Sequence, residues 1–323
     1  MTGQRAGVRA VLATVAAVAA LAMVGCSSTA TPTPPSQTPT QSSTVPTGAS
    51  VQAITPPIAA AWMYMSDDQN YNQIPQMWSK LNFRDVDVLN VGPAGVQPDG
   101  TFGLYQSTKT GDLSNRFKWI INTARQQNPH IRIIISQWWG NGAGVWGESL
   151  SLLKTPAAVE KYTASVGQFL QSYLTTAGGV DGYDIDYEDN NVTGNTTAIT
   201  AKVRAALTAL SATTGGRKFY QTVSPSTTAR LAGSIGYLDF VNMQTYAGGS
   251  GLTAEDFTSL GLTPQQLLYG ICPESNCPSP SLAEVEKSYT TNHLAGIHLW
   301  RLNSGNYVQE GQVQAQVYKF LHP

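Results

Sequence analysis

The feature that most constrains the fold is a regular alternation of short β-rich segments with helix-like segments from residue 53 onwards. Eight segments are short, apolar and rich in β-branched or aromatic residues, as expected for strands that are buried on both faces. They cover residues 60–65, 86–91, 131–136, 182–188, 219–224, 238–246, 266–272 and 296–302. Between them, residues 156–176 and 198–214 carry apolar side chains at helical spacing and end at glycine pairs.

This alternation continues without a break in composition, which predicts a single α/β domain over residues 53–323. Eight strand–helix units in a domain of this size predict a (β/α)8 barrel. A doubly wound sheet is the alternative, although it usually has fewer strands. In a barrel, chemistry takes place at the C-terminal ends of the strands. Polar residues at strand ends are therefore the candidates for a functional site.

The fourth β-rich segment is unusually acidic and reads Asp-Gly-Tyr-Asp-Ile-Asp-Tyr-Glu over residues 181–188. Because side chains alternate along a strand, Asp184, Asp186 and Glu188 share one face, and the tyrosines and isoleucine share the other. The apolar face should pack on helices, which directs the acids into the barrel. Like charges this close raise at least one pKa, and the outermost acid, Glu188, is the natural proton donor. A metal site and a chance acidic edge are the alternatives, but no further metal ligand can be identified.

The same segment resembles the signature of glycoside hydrolase family 18, Asp-x-x-Asp-x-Asp-x-Glu at the end of barrel strand four. All four acids of that signature are present. Weaker similarities to the third, fifth and eighth strands of the family occur at residues 133–136, 223–225 and 296–300. Gln244-Thr245-Tyr246 resembles the Gln-x-Tyr of the smaller, plant class III-like chitinases. The third strand departs from the family, because Gln137-Trp138-Trp139-Gly140 replaces its usual Gly-Gly end.

The resemblance implies substrate-assisted hydrolysis next to N-acetylglucosamine, with no cofactor. Glu188 would protonate the glycosidic oxygen while the substrate's acetamido oxygen attacks the anomeric carbon. Asp186 would orient the acetamide, Asp184 would tune the proton of Asp186, and Tyr246 would donate a hydrogen bond to the acetamido oxygen. Chitin or chito-oligosaccharides are the first expected substrates, and N-glycans or peptidoglycan are the alternatives.

Further residues are expected to contact the sugar or to frame its site. The resemblance makes Trp300 the floor of the site, and strand periodicity places Gln244 beside Tyr246, with Asn242 below it. The remaining expected substrate-binding residues are Asp181, Tyr64, Trp138 and Trp139. The G-x-G-x-x-G match at residues 142–147 lies too far behind its strand for a dinucleotide site, and we interpret it as a loop over the cleft.

Only 23 residues separate Cys272 from Gly296, the connection between the last two strands. The resemblance implies that larger chitinases carry an α+β insertion here, for which this chain has no room. An open cleft with endo-type cutting follows as a hypothesis. Two close cysteines in an exported protein predict a disulfide between Cys272 and Cys277.

The N-terminus predicts export. Arg5 and Arg9 precede an apolar run over residues 10–24, which has the length of a secretory signal, so residues 1–25 are the expected signal peptide. The run ends at Cys26 in a sequence that resembles a bacterial lipobox. Residues 26–52 would then be a lipidated cysteine and a Ser/Thr/Pro-rich tether. We expect a lipoprotein on the outer face of the cell membrane; a secreted protein is the alternative.

Net charge and composition restrict the classes of ligand and partner that we expect for this chain. Lys and Arg total 19 against 20 Asp and Glu, which argues against a nucleic-acid footprint or a polybasic membrane patch. Charged residues make up only 12% of the chain, so its polar surface suits neutral, hydroxyl-rich ligands. A monomer that meets the membrane only through its lipid is expected. A sugar-binding lectin and a structural lipoprotein are the alternatives, and the intact acids, Glu188 above all, argue against both.

Overall fold

The computed structural model describes residues 53–65, 78–105, 113–140 and 149–323. The expected signal peptide, the lipidation site at Cys26 and the tether lie outside the described residues, as does the loop at residues 142–147. Within the described ranges, no helix has the length and apolar character needed to span a membrane.

The domain is built on a closed barrel of eight parallel strands. The strands are β1 (Ile58–Tyr64), β2 (Val88–Val96), β3 (Phe102–Leu104), β4 (Arg132–Gln137), β5 (Gly182–Tyr187), β6 (Tyr220–Pro225), β7 (Phe240–Met243), β8 (Leu267–Ile271) and β9 (Gly296–Leu299). The barrel closes because β1 pairs with β2 on one side and with β9 on the other. The short strand β3 pairs antiparallel with the end of β2 and lies outside the barrel. The predicted (β/α)8 barrel is confirmed, and the doubly wound alternative is wrong because the first and last strands are hydrogen-bonded.

Helices follow most of the strands and cover the outside of the barrel. Within the described ranges the α-helices are α1 (Leu113–Gln127), α2 (Pro156–Ser172), α3 (Thr196–Thr213), α4 (Ala254–Thr258), α5 (Leu282–Asn292) and α6 (Tyr307–Leu321). The start of α2 follows from local sequence, since Thr155 caps the helix by accepting from the amide of Ala158 and Pro156 occupies the first turn. The two helices predicted from periodicity therefore exist within a few residues of their expected bounds.

The inside of the barrel changes from apolar to polar along the strands. Near the strand starts, one small cluster of inward side chains is apolar: Ile58, Ala60, Val88, Ile134, Tyr220, Phe240, Leu268 and Ala295. At the next inward position of six strands the side chains are polar and buried: Asn90, Ser136, Asp184, Thr222, Asn242 and His298. The outward residues of the same strands pack with the helices in the larger core. The C-terminal half of the barrel is therefore the only part of its interior where polar chemistry is concentrated among the described residues.

The connection from β8 to β9 is short, as the sequence predicts. It consists of the loop that starts at Cys272, the helix α5 and the turn before Gly296, all of it described. Cys272 and Cys277 form a disulfide with a Cα–Cα distance of 6.2 Å. The connection contains no α+β insertion, so the barrel mouth is not walled on this side by an added subdomain.

Candidate active site

Three acids follow one another up β5 towards the mouth of the barrel. Asp184 is fully buried, Asp186 is 5% exposed, and Glu188, which comes directly after the strand, is half-buried. The outward residues Tyr183, Ile185 and Tyr187 are buried in the helix-facing core. The alternation predicted for this segment is therefore what the structure has, and Glu188 is the acid nearest to solvent.

Asp184 is held by hydroxyl groups from the two neighbouring strands. Ser136 on β4 donates to Oδ2 at 2.7 Å, and Thr222 on β6 donates to Oδ1 at 2.6 Å. The Ser224 hydroxyl lies 3.1 Å from Oδ1 and 3.2 Å from Oδ2. Burial raises the pKa of Asp184 to about 6, and the three hydroxyl hydrogen bonds only partly oppose that rise.

Asp186 and Glu188 form an interacting pair above Asp184. The pKa of Asp186 is raised well above its ordinary value, first by burial and then by the charges of Glu188 and Asp184. Gln244 partly opposes this rise, because its Nε2 donates to Asp186 Oδ1 at 2.8 Å and to the Ser224 carbonyl at 2.8 Å. Burial also raises the pKa of Glu188. A raised pKa keeps a carboxyl protonated closer to neutral pH, which a general acid requires.

Tyr246 reaches the same acids from the end of β7. Its side chain is 3% exposed, and burial together with the charges of the three acids raises its pKa well above the ordinary value. The hydroxyl therefore stays protonated and can donate a hydrogen bond. Its ring lies against His298, with centroids 5.8 Å apart. His298 donates from Nε2 to the Met243 carbonyl at 2.8 Å, and burial lowers its pKa to about 4, so it is a neutral interior residue.

A small pocket opens beside these acids at the C-terminal ends of the strands. Its lining consists of Trp62, Tyr64, Gly92, Pro93, Ser136, Trp138, Asp186 and Trp300. Trp62 and Trp300 meet edge to face with centroids 5.3 Å apart. Aromatic rings with one carboxyl make a site for a neutral ligand that has apolar faces and a few polar groups.

Most predicted substrate-binding residues lie at or next to this pocket. Tyr64, Trp138 and Trp300 line it, and Gln244 binds its acid. Asn242 lies one layer below, fully buried, and donates from Nδ2 to Ser224 Oγ at 3.0 Å. Asn242 therefore supports the site without lining it.

Two tryptophans change the predicted lining. Trp139 is half-buried against Trp138, with ring centroids 6.4 Å apart, and is not part of the lining. Sequence reasoning missed Trp62, which does line the pocket. The signal was present, because Trp62 precedes Tyr64 by two residues and therefore shares its face of β1.

Asp181 lies at the other end of β5 and does not reach the pocket. Its Oδ2 is 2.6 Å from Arg125 Nη2, and its Oδ1 is 2.7 Å from Arg217 Nη2. The Ile133 amide also donates to Oδ2 at 2.8 Å. These partners occupy both oxygens of a fully buried carboxylate. The expectation that Asp181 contacts the sugar is therefore corrected: this acid of the signature ties two arginines to the N-terminal end of the barrel.

Asp184, Asp186 and Glu188, hereafter the acid column, are surrounded by protein hydroxyl and amide groups. In the part of the chain that the structure describes, no group of three or more His, Cys, Asp or Glu side chains is arranged to hold a metal ion. What the arrangement can do chemically is donate a proton from Glu188 and place a carboxyl and a phenol against a polar group of a bound ligand.

A sequence model described as "Glycosyl hydrolases family 18" matches residues 60–304. No curated protein sequence matches the chain.

Several solved structures share the fold. A chitinase from Flavobacterium johnsoniae has 16% identity and a TM-score of 0.60, over 82% of this chain and 94% of that one. A class V chitinase mutant from Cycas revoluta in complex with (GlcNAc)3 has 14% identity and a TM-score of 0.60, over 81% and 99%. A chitinase-like agglutinin from Robinia pseudoacacia has 13% identity and a TM-score of 0.58, also over 81% and 99%. At these identities the likeness shows the fold alone.

Proposed function

The chain belongs to glycosyl hydrolase family 18, and from that premise we propose that it cleaves β-1,4 linkages next to N-acetylglucosamine in chitin or chito-oligosaccharides. The observation that carries this proposal is the column of Asp184, Asp186 and Glu188, whose exposure increases towards an aromatic pocket. The raised pKa of Glu188 suits a proton donor, and the half-buried position gives it access to a ligand.

The proposed reaction has two steps. In the first, Glu188 gives its proton to the glycosidic oxygen as the C–O bond breaks, and the acetamido oxygen bonds to the anomeric carbon. The products of this step are a free sugar hydroxyl, an oxazolinium ion and the Glu188 carboxylate. In the second, that carboxylate takes a proton from the water that attacks the anomeric carbon, and the acetamide is restored. Two displacements at one carbon retain the β configuration.

The neighbours of Glu188 support the charged intermediate. Asp186 lies in the pocket lining, where its carboxylate can accept from the acetamide N–H and offset the positive charge. The amide of Gln244 fixes the orientation of Asp186 through the 2.8 Å hydrogen bond. Tyr246 supplies a protonated hydroxyl for the acetamido oxygen. Asp184 lies behind Asp186. Its negative charge disfavours ionisation of Asp186, which favours a proton shared by Asp186 and Glu188.

Two other functions are kept as alternatives. Endo-β-N-acetylglucosaminidase activity on N-glycans or peptidoglycan would use the same chemistry on another glycan, and the short β8–β9 connection supports cutting within a chain. A non-catalytic lectin is favoured only by the shared fold of the Robinia agglutinin. The presence of Glu188 weighs against that alternative.

The sequence also supports a location for this activity. We propose that the domain is exported and held at the outer face of the membrane through lipidated Cys26 and the tether at residues 26–52, as a monomer. Secretion without the lipid is the alternative.

The test is product analysis by mass spectrometry on chito-oligosaccharides, an N-glycoprotein and peptidoglycan. Glu188→Gln should lower turnover of the chito-oligosaccharides about 10²–10⁴-fold and leave binding intact. Glu160→Gln is the control, since that side chain is 64% exposed and pairs with Lys202 on the surface. Cleavage of only the glycoprotein or peptidoglycan would select an alternative substrate. Binding without cleavage by the wild-type protein would overturn the enzymatic proposal.

A further inference from the structure

The disulfide loop after β8 lies beside the candidate site. It spans Cys272 to Cys277 and is closed by their bond. The segment after it is tied to the turn that follows Tyr246, because the Ala247 amide donates to the Pro278 carbonyl at 2.8 Å. The segment after the loop is therefore held by a backbone hydrogen bond next to Tyr246, a residue of the candidate site.

One acid of this loop extends towards the aromatic lining. Glu274 Oε1 accepts from Arg301 Nε at 2.8 Å, and the two side chains are 25% and 16% exposed. Arg301 directly follows Trp300. A charge-assisted hydrogen bond between two largely buried side chains has a better-defined geometry than a surface ion pair.

Arg301 in turn contacts two rings of the pocket. The guanidinium carbon lies 5.3 Å from the centre of the Tyr64 ring and 5.6 Å from the centre of the Trp300 ring. Both distances are within the range of a cation–π contact. Trp62 packs against Trp300 with a centroid separation of 5.3 Å, so the Trp300 ring is in contact with a second ring as well as with the cation.

We propose that Glu274 and Arg301 are positioning residues for the sugar site, and that the Cys272–Cys277 disulfide acts on substrate affinity through them. The loop fixes Glu274, Glu274 fixes the guanidinium of Arg301, and the guanidinium holds Tyr64 and Trp300 in the orientation that a sugar ring meets. Neither residue touches the reacting atoms. The inference rests on the proposed function and deepens it, because it assigns control of affinity to a pair outside the acid column.

The main experiment measures binding without turnover. Calorimetry with a chito-oligosaccharide is carried out in a Glu188→Gln background, with Arg301→Met, Arg301→Lys and Glu274→Gln added singly. Arg301→Met should weaken binding about 3- to 30-fold, and Arg301→Lys should recover part of the loss because it keeps the cation. Arg204→Met is the matched control, since Arg204 pairs with Asp239 at the N-terminal end of the barrel. Unchanged binding in Arg301→Met and Glu274→Gln would overturn the proposal.

A second arm tests the order of the contacts. Replacing Cys272 and Cys277 by serine should weaken binding when Glu274 is present and should have little further effect in Glu274→Gln, because the two changes break one chain of contacts. Equal losses in both backgrounds would show that the disulfide acts by another route, which contradicts the proposal.

A third arm needs no substrate and separates this inference from the proposed function. Crystal structures of ligand-free Arg301→Met and Glu274→Gln should show the Trp300 and Tyr64 rings rotated relative to the parent protein. If the parent binds no chito-oligosaccharide but the rings rotate, the proposed substrate fails and the positioning role stands. If the rings stay in place, the positioning role fails whatever the parent binds.

Discussion

Two buried aspartates at successive levels of β5 have partners of different kinds. Asp181 and Asp184 are both fully buried and lie three residues apart. Asp181 is paired with two guanidinium groups, from Arg125 and Arg217, whereas Asp184 is bound by three hydroxyl groups. Opposite charge replaces the lost water at the first site. At the second site hydroxyl groups replace it, and burial raises the pKa of Asp184 to about 6.

One strand therefore carries an acid with a structural role at its N-terminal end and acids with a chemical role towards its C-terminal end. The N-terminal end of the barrel uses its acid to tie α1 and the loop before β6 to β5. Further along the strand, Asp184 is bound by hydroxyl groups and not by a guanidinium. Its raised pKa lets it hold a proton below Asp186 and Glu188. A site that holds protons near neutral pH gives up part of the stabilisation that ion pairing would provide.

The largest expected effect on stability is at the paired end. Asp181→Asn should lower the free energy of unfolding by about 3–5 kcal/mol, because it leaves two largely buried guanidinium groups facing a neutral amide. The fraction of the Asp181→Asn variant that is folded should have the same turnover as the wild type. Urea denaturation measures the loss, with the exposed Glu160→Gln as the control, expected within about 1 kcal/mol of wild type. A loss at Asp181 no larger than that of the control would contradict the comparison.

The second prediction concerns pH dependence at the unpaired end. The pKa of Asp184 rises from 3.8 to about 6 on folding, so between these values the folded state binds more protons than the unfolded state. The contribution of Asp184 to stability is therefore fully present below pH 3.8 and is lost as the pH rises through this window, by up to about 3 kcal/mol.

Asp184→Asn should remove that part of the slope and lower turnover, while the raised pKa values of Asp186 and Glu188 keep a smaller slope of the same sign. Urea denaturation at a series of pH values from about 4 to about 7 would measure the slope of the free energy of unfolding against pH. Identical pH profiles for the variant and the wild type would show that Asp184 does not titrate in this window.

A smaller effect is expected from filling space beside the acids. A Cβ at Gly270 would lie 2.5 Å from the Met243 carbonyl oxygen, 2.7 Å from Tyr246 Cε1 and 2.9 Å from His298 Nε2. Gly270→Ala should cost about 1–3 kcal/mol of stability and lower turnover by displacing Tyr246. Gly167→Ala is the control, because its Cβ would lie 3.6 Å from the Ala206 Cβ, an ordinary van der Waals contact between α2 and α3. Equal effects of the two substitutions would contradict the proposed crowding.

The acid column was predictable because it depends on one strand alone. Period two on β5 placed Asp184, Asp186 and Glu188 on one face, and the same rule on β7 placed Asn242 below Gln244. Applied to β1, it would also have found Trp62. The barrel followed from the count of strand–helix units, although the three-residue strand β3 is too short to leave a pattern.

Contacts between distant segments were not predictable. Asp181 was misassigned because its two arginines lie 56 and 36 residues away in sequence. The hydroxyl groups around Asp184 come from the strands on either side, so finding them requires the strand register. Glu274 and Arg301 are 27 residues apart in loops, where no periodicity links them.

We propose that the C-terminal end of the barrel carries out hydrolysis with the substrate's own acetamide as nucleophile. The most direct test compares kcat/KM on two chito-oligosaccharides that differ only in an acetamide or a free amine on the sugar at the cleaved bond. We expect the free amine to lower kcat/KM by about a hundredfold or more, because the positioned nucleophile is lost. Equal rates for the two substrates would contradict it.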